Sequence, residues 1–447
     1  MSFETVLIAN RGEIALRVIE ACREMGLRSI AAYSQADAGM PYLQLADASI
    51  CIGPPEPAKS YLNIAAIISA AELAGAEAIH PGYGFLAENP HFVEVCDDHD
   101  LTFIGPPREV MELLGDKVAA REAVSAAGVP VLPGEPAPDD ADDLLAAGER
   151  IGYPLLIKSV YGGGGRGMRV VAAADELVEK AAGAAKEAAV AAGDGALYLE
   201  RAVVDPRHIE VQIVGDGSGR VIHLGERDCS IQRRHQKLIE ESPAPNLDPK
   251  TRQRILGAAL TASRAVAYRN AGTVEFLLDA DGSFYFIEMN ARIQVEHSVS
   301  EVTSGMNLIK EQISLATGEW LSVDQDNIEL RGHAIECRLN AEDPRRDFLP
   351  SCGTVGIEQL PGGHGVRLDT ALYAGMPIQP HYDSLVAKLI TWGSNREEAR
   401  IRMLTALERF RVTGIETTRD LLLAVIRHDE FGRGEVSTGF LDRLLRG

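Results

Sequence analysis

Residues 284–297 read Phe-Tyr-Phe-Ile-Glu-Met-Asn-Ala-Arg-Ile-Gln-Val-Glu-His, an apolar run that passes straight into polar side chains spaced two apart. In an extended chain successive side chains point to opposite faces. That puts Glu288, Asn290, Arg292, Gln294 and Glu296 on one side, and Met289, Ala291, Ile293 and Val295 on the other. A solvent-facing strand would favour Thr, Lys and Ser instead. Charges set against an apolar core are costly unless paired or bound to a metal or ligand. Buried ionisable clusters favour sites. The chemistry suggested is Mg²⁺ held by carboxylate and amide oxygens, with an arginine beside it for an anion.

The gross features narrow the class. A chain of 447 residues is too long for one core and implies two to four domains. The net charge of −21 argues against nonspecific nucleic-acid binding and against an anionic membrane surface. No apolar run approaches the roughly 18 residues of a membrane span. The start is acidic and runs straight into a strand, unlike a signal peptide. Cys22, Cys51, Cys96, Cys229, Cys337 and Cys352 are scattered, with no Cys-x-x-Cys pair. Reduced, buried thiols and a cytoplasmic location are expected.

Strand and helix alternate at first. Strands are predicted at residues 5–9, 27–33, 49–52, 77–80 and 101–104, with helices at 14–25 and 64–74. This is a doubly wound parallel-sheet unit ending near residue 113. Pro81-Gly-Tyr-Gly-Phe follows a strand end, where such sheets bind ligands. A helix is predicted at 116–127, and 136–146 reads as acidic, loosely patterned surface. Strand 154–158, a glycine run and strand 169–171 form a hairpin, followed by a helix at 174–192. More strands follow at 197–200, 209–214 and 221–224, then a helix at 250–267. A second hairpin pairs 274–278 with 283–287. After residue 331 the pattern changes to short strands and turns, closed by helices at 397–409 and 418–428.

Gly162 to Gly167 fits G-x-G-x-x-G on paper, but a strand follows rather than a helix, and no Lys-Ser/Thr follows as in a Walker loop. A mobile glycine-rich hairpin tip can instead close over a triphosphate with its backbone N–H groups. Lys158 precedes it and Lys117 starts the helix before that; each lysine is a compact point charge for a phosphate. Arg227-Asp-Cys-Ser-Ile-Gln-Arg-Arg-His-Gln-Lys237 is an isolated basic cluster in an acidic chain, which suggests an anion site. Glu275 and Glu288 lie on paired strands, suited to one or two Mg²⁺ ions that also touch phosphates. His333, with Glu336 and Arg338 on one strand, reads as structural.

Across essentially its whole length the chain resembles biotin carboxylase, the ATP-grasp component of biotin-dependent carboxylases. The resemblance is carried by Ala9-Asn-Arg-Gly-Glu-Ile-Ala, His80-Pro-Gly-Tyr-Gly-Phe-Leu, Gly115-Asp-Lys, Gly162-Gly-Gly-Gly-Arg-Gly-Met, the basic run with Glu226 before it, Phe286-Ile-Glu-Met-Asn, Arg292-Ile-Gln-Val-Glu-His and Glu336-Cys-Arg-Leu-Asn-Ala-Glu-Asp-Pro. It implies an α/β and α+β architecture: a Rossmann-like domain at 1–113, an ATP-grasp domain at 114–330 with a glycine-rich lid at about 131–203, and a biotin carboxylase C-terminal domain at 331–447.

The implied reaction uses ATP, Mg²⁺ (or Mn²⁺), bicarbonate and biotin, and passes through carboxyphosphate. By similarity Lys117, Lys158, Gly163, Gly164, Gly165, Arg166, Gly167 and Met168 contact the nucleotide phosphates, Glu200 and Val203 the adenine, and His208, Gln232 and His235 the ribose side. Glu275, Glu288 and Asn290 would hold the metal. Lys237, Arg292, Gln294 and Val295 would cradle bicarbonate, with Glu296 as base, Arg338 at the ureido oxygen and Tyr83 beside biotin. Ala291 stands where relatives usually carry Thr, Ser298 where they carry Pro, and Glu20 where they commonly carry Arg. Ala202, Cys352, His381 and His364 also depart from the pattern, none of them removing a charge from the mechanism. The chain ends without a Met-Lys-Met segment, so the biotin carboxyl carrier and carboxyltransferase are expected on separate chains. A homodimer and an acyl-CoA carboxylase linked to fatty acid synthesis are the expected assemblies. Two other readings stay open here: an ATP-grasp ligase with a different acceptor, and a silent scaffold protein.

Overall fold

The computed structural model describes residues 3–160, 168–192, 195–321 and 323–446. The first unit is a five-stranded sheet in the order Ala48–Gly53, Arg28–Ser34, Thr5–Ile8, Ala78–His80, Thr102–Phe103. Every pairing is parallel. The central strand Thr5–Ile8 is wholly buried, as expected where helices cover both faces of a parallel sheet. Gly12–Met25, Ile64–Ala74 and Pro90–Asp98 are among those helices. This is the doubly wound unit that the alternation predicts. At the C-terminal edge of its strands Asn10 Nδ2 donates to the carbonyls of Pro81 (2.7 Å) and Tyr83 (2.8 Å). Gly82 sits at φ +61°, and a Cβ there would fall 2.8 Å from Asn10 Nδ2, so the close approach requires glycine.

The second sheet has eight strands, in the order Phe284–Asn290, Arg269–Leu278, Arg207–Asp216, Val221–Arg233, Gln236–Ser242, His333–Asn340, Leu385–Gly393, Val366–Thr370. All its pairings are antiparallel. The change of pattern after residue 331 does not interrupt it, because Glu240 pairs with Glu336 across that point. Register then lines charges up. Glu288 lies opposite Glu275, Glu275 opposite Glu210, and Glu210 opposite Arg227. One row across four strands therefore carries three carboxylates and a guanidinium. A second row of Glu240 and Glu336, with Arg338 and Lys388 two residues along, shares a face by the same period of two.

A small four-stranded sheet stands apart, in the order Gly134–Pro136, Leu197–Arg201, Leu155–Ser159, Arg169–Val171. The hairpin of Leu155–Ser159 with Arg169–Val171 is the one expected around the glycine run. Residues 161–167, including Gly163, Gly164, Gly165, Arg166 and Gly167, lie outside the described residues. This unit has its own core, in which Leu144, Ala147, Ile151, Leu155, Val171, Leu177 and Leu199 take part.

Three expectations change. Residues 136–146 are not loose surface, because Ala141–Ile151 is a helix capped by Asp140 Oδ1, which accepts from the amides of Asp142 (2.9 Å) and Asp143 (3.2 Å). Its acidic first turn hides the three-and-four spacing of Leu144, Ala147 and Ile151. The strand predicted at 221–224 runs on to Arg233, so the basic run forms a hairpin that is buried up to its tip. Finally, the alternation at 288–296 is not one long strand. Phe284–Asn290 ends at the sheet edge, the chain turns, and helix His297–Ser304 begins. Polar Asn290, Gln294 and Glu296 are buried together with apolar Met289, Ala291 and Ile293. Both faces are covered, so the polar side chains converge through a turn rather than along one face.

Arg227 ties the second sheet to that helix. It is fully buried and donates to Glu210, to Gln212 Oε1 (2.7 Å), Thr273 Oγ1 (3.0 Å) and Ser300 Oγ (3.0 Å). Removing one member of such a buried network leaves a carboxylate undercompensated. Arg227→Met is expected to destabilise the protein by about 3–5 kcal/mol, read from urea unfolding. A loss below about 1 kcal/mol, the range of an exposed pair, would contradict this view of the core.

Candidate active site

Glu275 is the hub on the charged row. Its Oε1 accepts from Lys237 Nζ (3.0 Å), Asn290 Nδ2 (2.9 Å) and Gln294 Nε2 (2.9 Å). Its Oε2 lies 2.9 Å from His208 Nε2. Burial works against its charge, but Lys237 and His208 outweigh it and hold the carboxylate ionised, below its ordinary range. Glu288 is opposite in effect: burial first, and then repulsion from Glu275, raise it. No described residue donates a hydrogen bond to its carboxylate. Two carboxylates on adjacent strands, Glu275 buried and Glu288 half-buried, and the Asn290 amide oxygen form a hard-oxygen set that suits a divalent cation. His208, Glu210 and Glu275 also bring ligand atoms within 4.8 Å of one another, as do Glu210, Cys229 and Glu296; Glu288 is in neither trio.

Glu296 follows at the start of helix His297–Ser304, and none of it is exposed. Its Oε1 accepts from Lys237 Nζ at 2.7 Å and its Oε2 from Arg338 Nη2 at 2.7 Å. Lys237 also donates to Glu210 Oε2 at 2.5 Å, and Arg338 Nε to Glu240 Oε1 at 2.6 Å. Burial alone would push Glu296 up. Lys237, Arg338 and Arg227 overcome it and hold the carboxyl well below the usual range. Glu240 has the other outcome: burial and Glu296 outweigh Arg338 and Lys237, and it is pushed up to about 7. Arg292 Nε pairs with Glu88 Oε2 at 2.9 Å, while its Nη2 reaches Asn290 Oδ1 at 3.3 Å. Tyr83 donates its hydroxyl to Glu13, and Val295 is half-buried on the turn.

The other predicted residues belong to the small sheet, the large sheet and the segments beside them, and the charges of Lys158 and His208 bear on His235. Glu200, buried, receives both Lys158 and Arg121. Lys117 opens helix Lys117–Ala126 and its charge bears on Glu288. Gln232 is buried and His235 sits at the hairpin tip, where Arg234 (φ 46°) and His235 (φ 67°) both adopt the left-handed backbone of a tight turn. Non-glycine residues take that conformation at a cost, which is typical of functional loops. Met168 and Val203 are half-buried.

Sequence reasoning missed Glu210, Glu240, Glu88 and Lys388. The first had a signal: Glu210 and Gln212 alternate inside the otherwise apolar run Ile209–Val214. Lys388 had another, a lone lysine in the apolar stretch Leu385–Gly393. Glu88 had none, since it meets Arg292 only through the tertiary fold.

Comparison with known proteins accounts for this arrangement. Residues 2–111 match the family described as biotin carboxylase, N-terminal domain. Residues 116–324 match the carbamoyl-phosphate synthase L chain, ATP binding domain, and residues 336–443 the biotin carboxylase C-terminal domain. The biotin carboxylase of Pseudomonas aeruginosa is 51% identical over 444 residues, covering 99% of this chain and 98% of that one. A pyruvate carboxylase component from Methanothermobacter thermautotrophicus is 50% identical over 446 residues, covering 100% and 91%. Among solved structures, the biotin carboxylase domain dimer of Hydrogenobacter thermophilus 2-oxoglutarate carboxylase, in complex with MgADP, ADP and bicarbonate, superposes with a TM-score of 0.94. It is 45% identical and the match covers 99% of this chain and 98% of that one. The chain belongs to the biotin carboxylase family of ATP-grasp enzymes.

Proposed function

We propose that this chain carboxylates biotin held on a separate carrier protein, using MgATP and bicarbonate, as the first half-reaction of a biotin-dependent carboxylase. The observation that carries the reading is Glu296, fully buried and clamped between Lys237 and Arg338 at 2.7 Å each. Bicarbonate is a weak nucleophile and needs a positioned base in a site closed to water. A carboxylate stabilised this strongly is ionised but a poor base. An arriving bicarbonate anion competes for Lys237 and Arg338. As they turn toward the substrate, Glu296 loses stabilisation and becomes more basic. The base is therefore switched on by the substrate it deprotonates.

The deprotonated bicarbonate oxygen attacks the γ-phosphorus, ADP leaves, and carboxyphosphate forms. Carboxyphosphate yields CO₂ and phosphate, and that phosphate takes the N1′ proton of biotin. Arg338 then stabilises the negative ureido oxygen while N1′ bonds to CO₂, an oxyanion-type role. Lys237, Arg292, Gln294 and Val295 cradle bicarbonate, and Tyr83 flanks biotin. Lys117, Lys158, Met168, Glu200, Val203, His208, Gln232 and His235 hold the nucleotide, together with the glycine run. The pairing of Lys158 with Glu200 keeps that lysine near the nucleotide space until phosphates draw it away. Glu275, Glu288 and Asn290 would hold Mg²⁺, which when bound neutralises charge on the nucleotide phosphates.

Three domains, with boundaries near residues 113 and 330, a carrier and a carboxyltransferase on other chains, and a homodimer complete the proposal. A cytoplasmic location fits the six free thiols. An acyl-CoA is our reading of the final acceptor. Relatives of similar identity are named for pyruvate and for 2-oxoglutarate carboxylation, so overall similarity does not select the acceptor.

The test is ADP release by the purified chain with MgATP and bicarbonate, with and without free biotin. Strong stimulation by biotin is expected, and hydrolysis indifferent to biotin would favour another acceptor. Arg338→Ala is expected to lower biotin-dependent turnover at least tenfold more than the slow bicarbonate-dependent hydrolysis without biotin. Equal loss of both activities would remove Arg338 from the biotin step.

A further inference from the structure

Lys388 lies in the apolar strand Leu385–Gly393 and is fully buried. An ammonium in such a place is costly unless it is well paired, and a leucine or methionine would fill the space without that cost. Its surroundings explain its presence. The Nζ donates to the carbonyl of Val295 (2.9 Å) and to Ser298 Oγ (3.1 Å). Glu13 Oε2 lies 3.4 Å away and Asp369 Oδ2 3.5 Å away. Ser298 Oγ also reaches Asp369 Oδ2, at 3.4 Å. Glu336, also buried, has neither carboxyl oxygen hydrogen-bonded, and burial holds it well above the usual range.

The Val295 carbonyl is the informative contact. Residues 291–296 form neither strand nor helix, so no ladder fixes their backbone. A carbonyl outside any ladder and partly withdrawn from water is oriented by whatever donor it finds. Among the described residues Lys388 is the donor that Val295 finds. The same short turn carries Arg292, Gln294 and Glu296. Orienting the Val295 carbonyl orients the peptide units on either side, which lead to Gln294 and Glu296. Displacements of about 1 Å in such positioning groups cost on the order of a hundredfold in rate.

We propose that Lys388 is a positioning residue for bicarbonate, its buried ammonium fixing the Val295 carbonyl and with it the 292–296 turn. This rests on the biotin carboxylase reading above, because it assumes that bicarbonate binds against that turn.

The experiment compares the parent with Lys388→Met, and with Lys388→Met/Glu13→Gln, which removes the buried carboxylate whose ion pair the single substitution breaks; Asp369 keeps its two bonds from Arg367 in both. Thermal unfolding checks the fold of each. Initial-rate ADP release gives KM for bicarbonate, and equilibrium binding of MgADP gives nucleotide affinity. The expected result is a bicarbonate KM raised tenfold or more with nucleotide affinity within twofold of the parent. A bicarbonate KM within twofold of the parent in a folded variant overturns the proposal. So does equal weakening of bicarbonate and nucleotide, or loss of fold in both variants, since each makes the role purely structural. If the parent's own ADP release is independent of bicarbonate, the functional reading fails first and the positioning role falls with it.

Discussion

A carboxylate with no contact with water, held by an ammonium on one oxygen and a guanidinium on the other, is the interaction on which this structure turns. The isolated ion would be several kcal/mol unfavourable in that position. Glu296 is tolerated there only because Lys237 and Arg338 approach to 2.7 Å, and they in turn are anchored by Glu210, Glu275 and Glu240. None of these groups can be moved without leaving a neighbour undercompensated. The two cations of this lattice, each shared among carboxylates, are the groups that an anion would address. On the proposed function, bicarbonate takes the place of Glu296 as the partner of Lys237 and Arg338.

The eight-stranded sheet makes that lattice possible. Antiparallel register sets Glu288, Glu275, Glu210 and Arg227 in one row. Lys237 and Arg338 arrive on neighbouring strands, one on each side of the change in sequence pattern after residue 331. The parallel sheet contributes differently. A loop carries Glu88 to Arg292, and the first helix carries Glu13 to Tyr83 and Lys388, so the first part of the chain contacts the charged groups of the large sheet. The small sheet carries Lys158 and Glu200, on a core of its own that shares few side chains with the other two.

Much of this was legible in the sequence. The parallel sheet followed from apolar runs alternating with helical spacing, and the two hairpins from turn residues between apolar strands. Some candidate residues were legible because polar groups in apolar context are rare: Glu275 and Glu288 stand out from their strands, whereas Arg338 entered only through the family resemblance. What was lost was geometry beyond one element. The alternation at 288–296 imitated a strand, although the chain leaves the sheet at Asn290 and folds its polar groups inward. Helix Ala141–Ile151 was obscured by its acidic first turn, where the aspartates serve as cap and dipole partners rather than as surface charge. Glu88 could not be read at all, since its role depends on a contact more than two hundred residues away along the chain.

The most direct measurement of the central claim is Glu296→Ala, assayed for biotin-dependent ADP release and, in parallel, for equilibrium binding of MgADP. The account predicts that biotin-dependent turnover falls to background while nucleotide binding stays within a fewfold of the parent, because the nucleotide's own contacts do not include Glu296. Retained turnover would show that Glu296 is not the base. Turnover and nucleotide binding lost together would show that it holds the fold of the site rather than its chemistry.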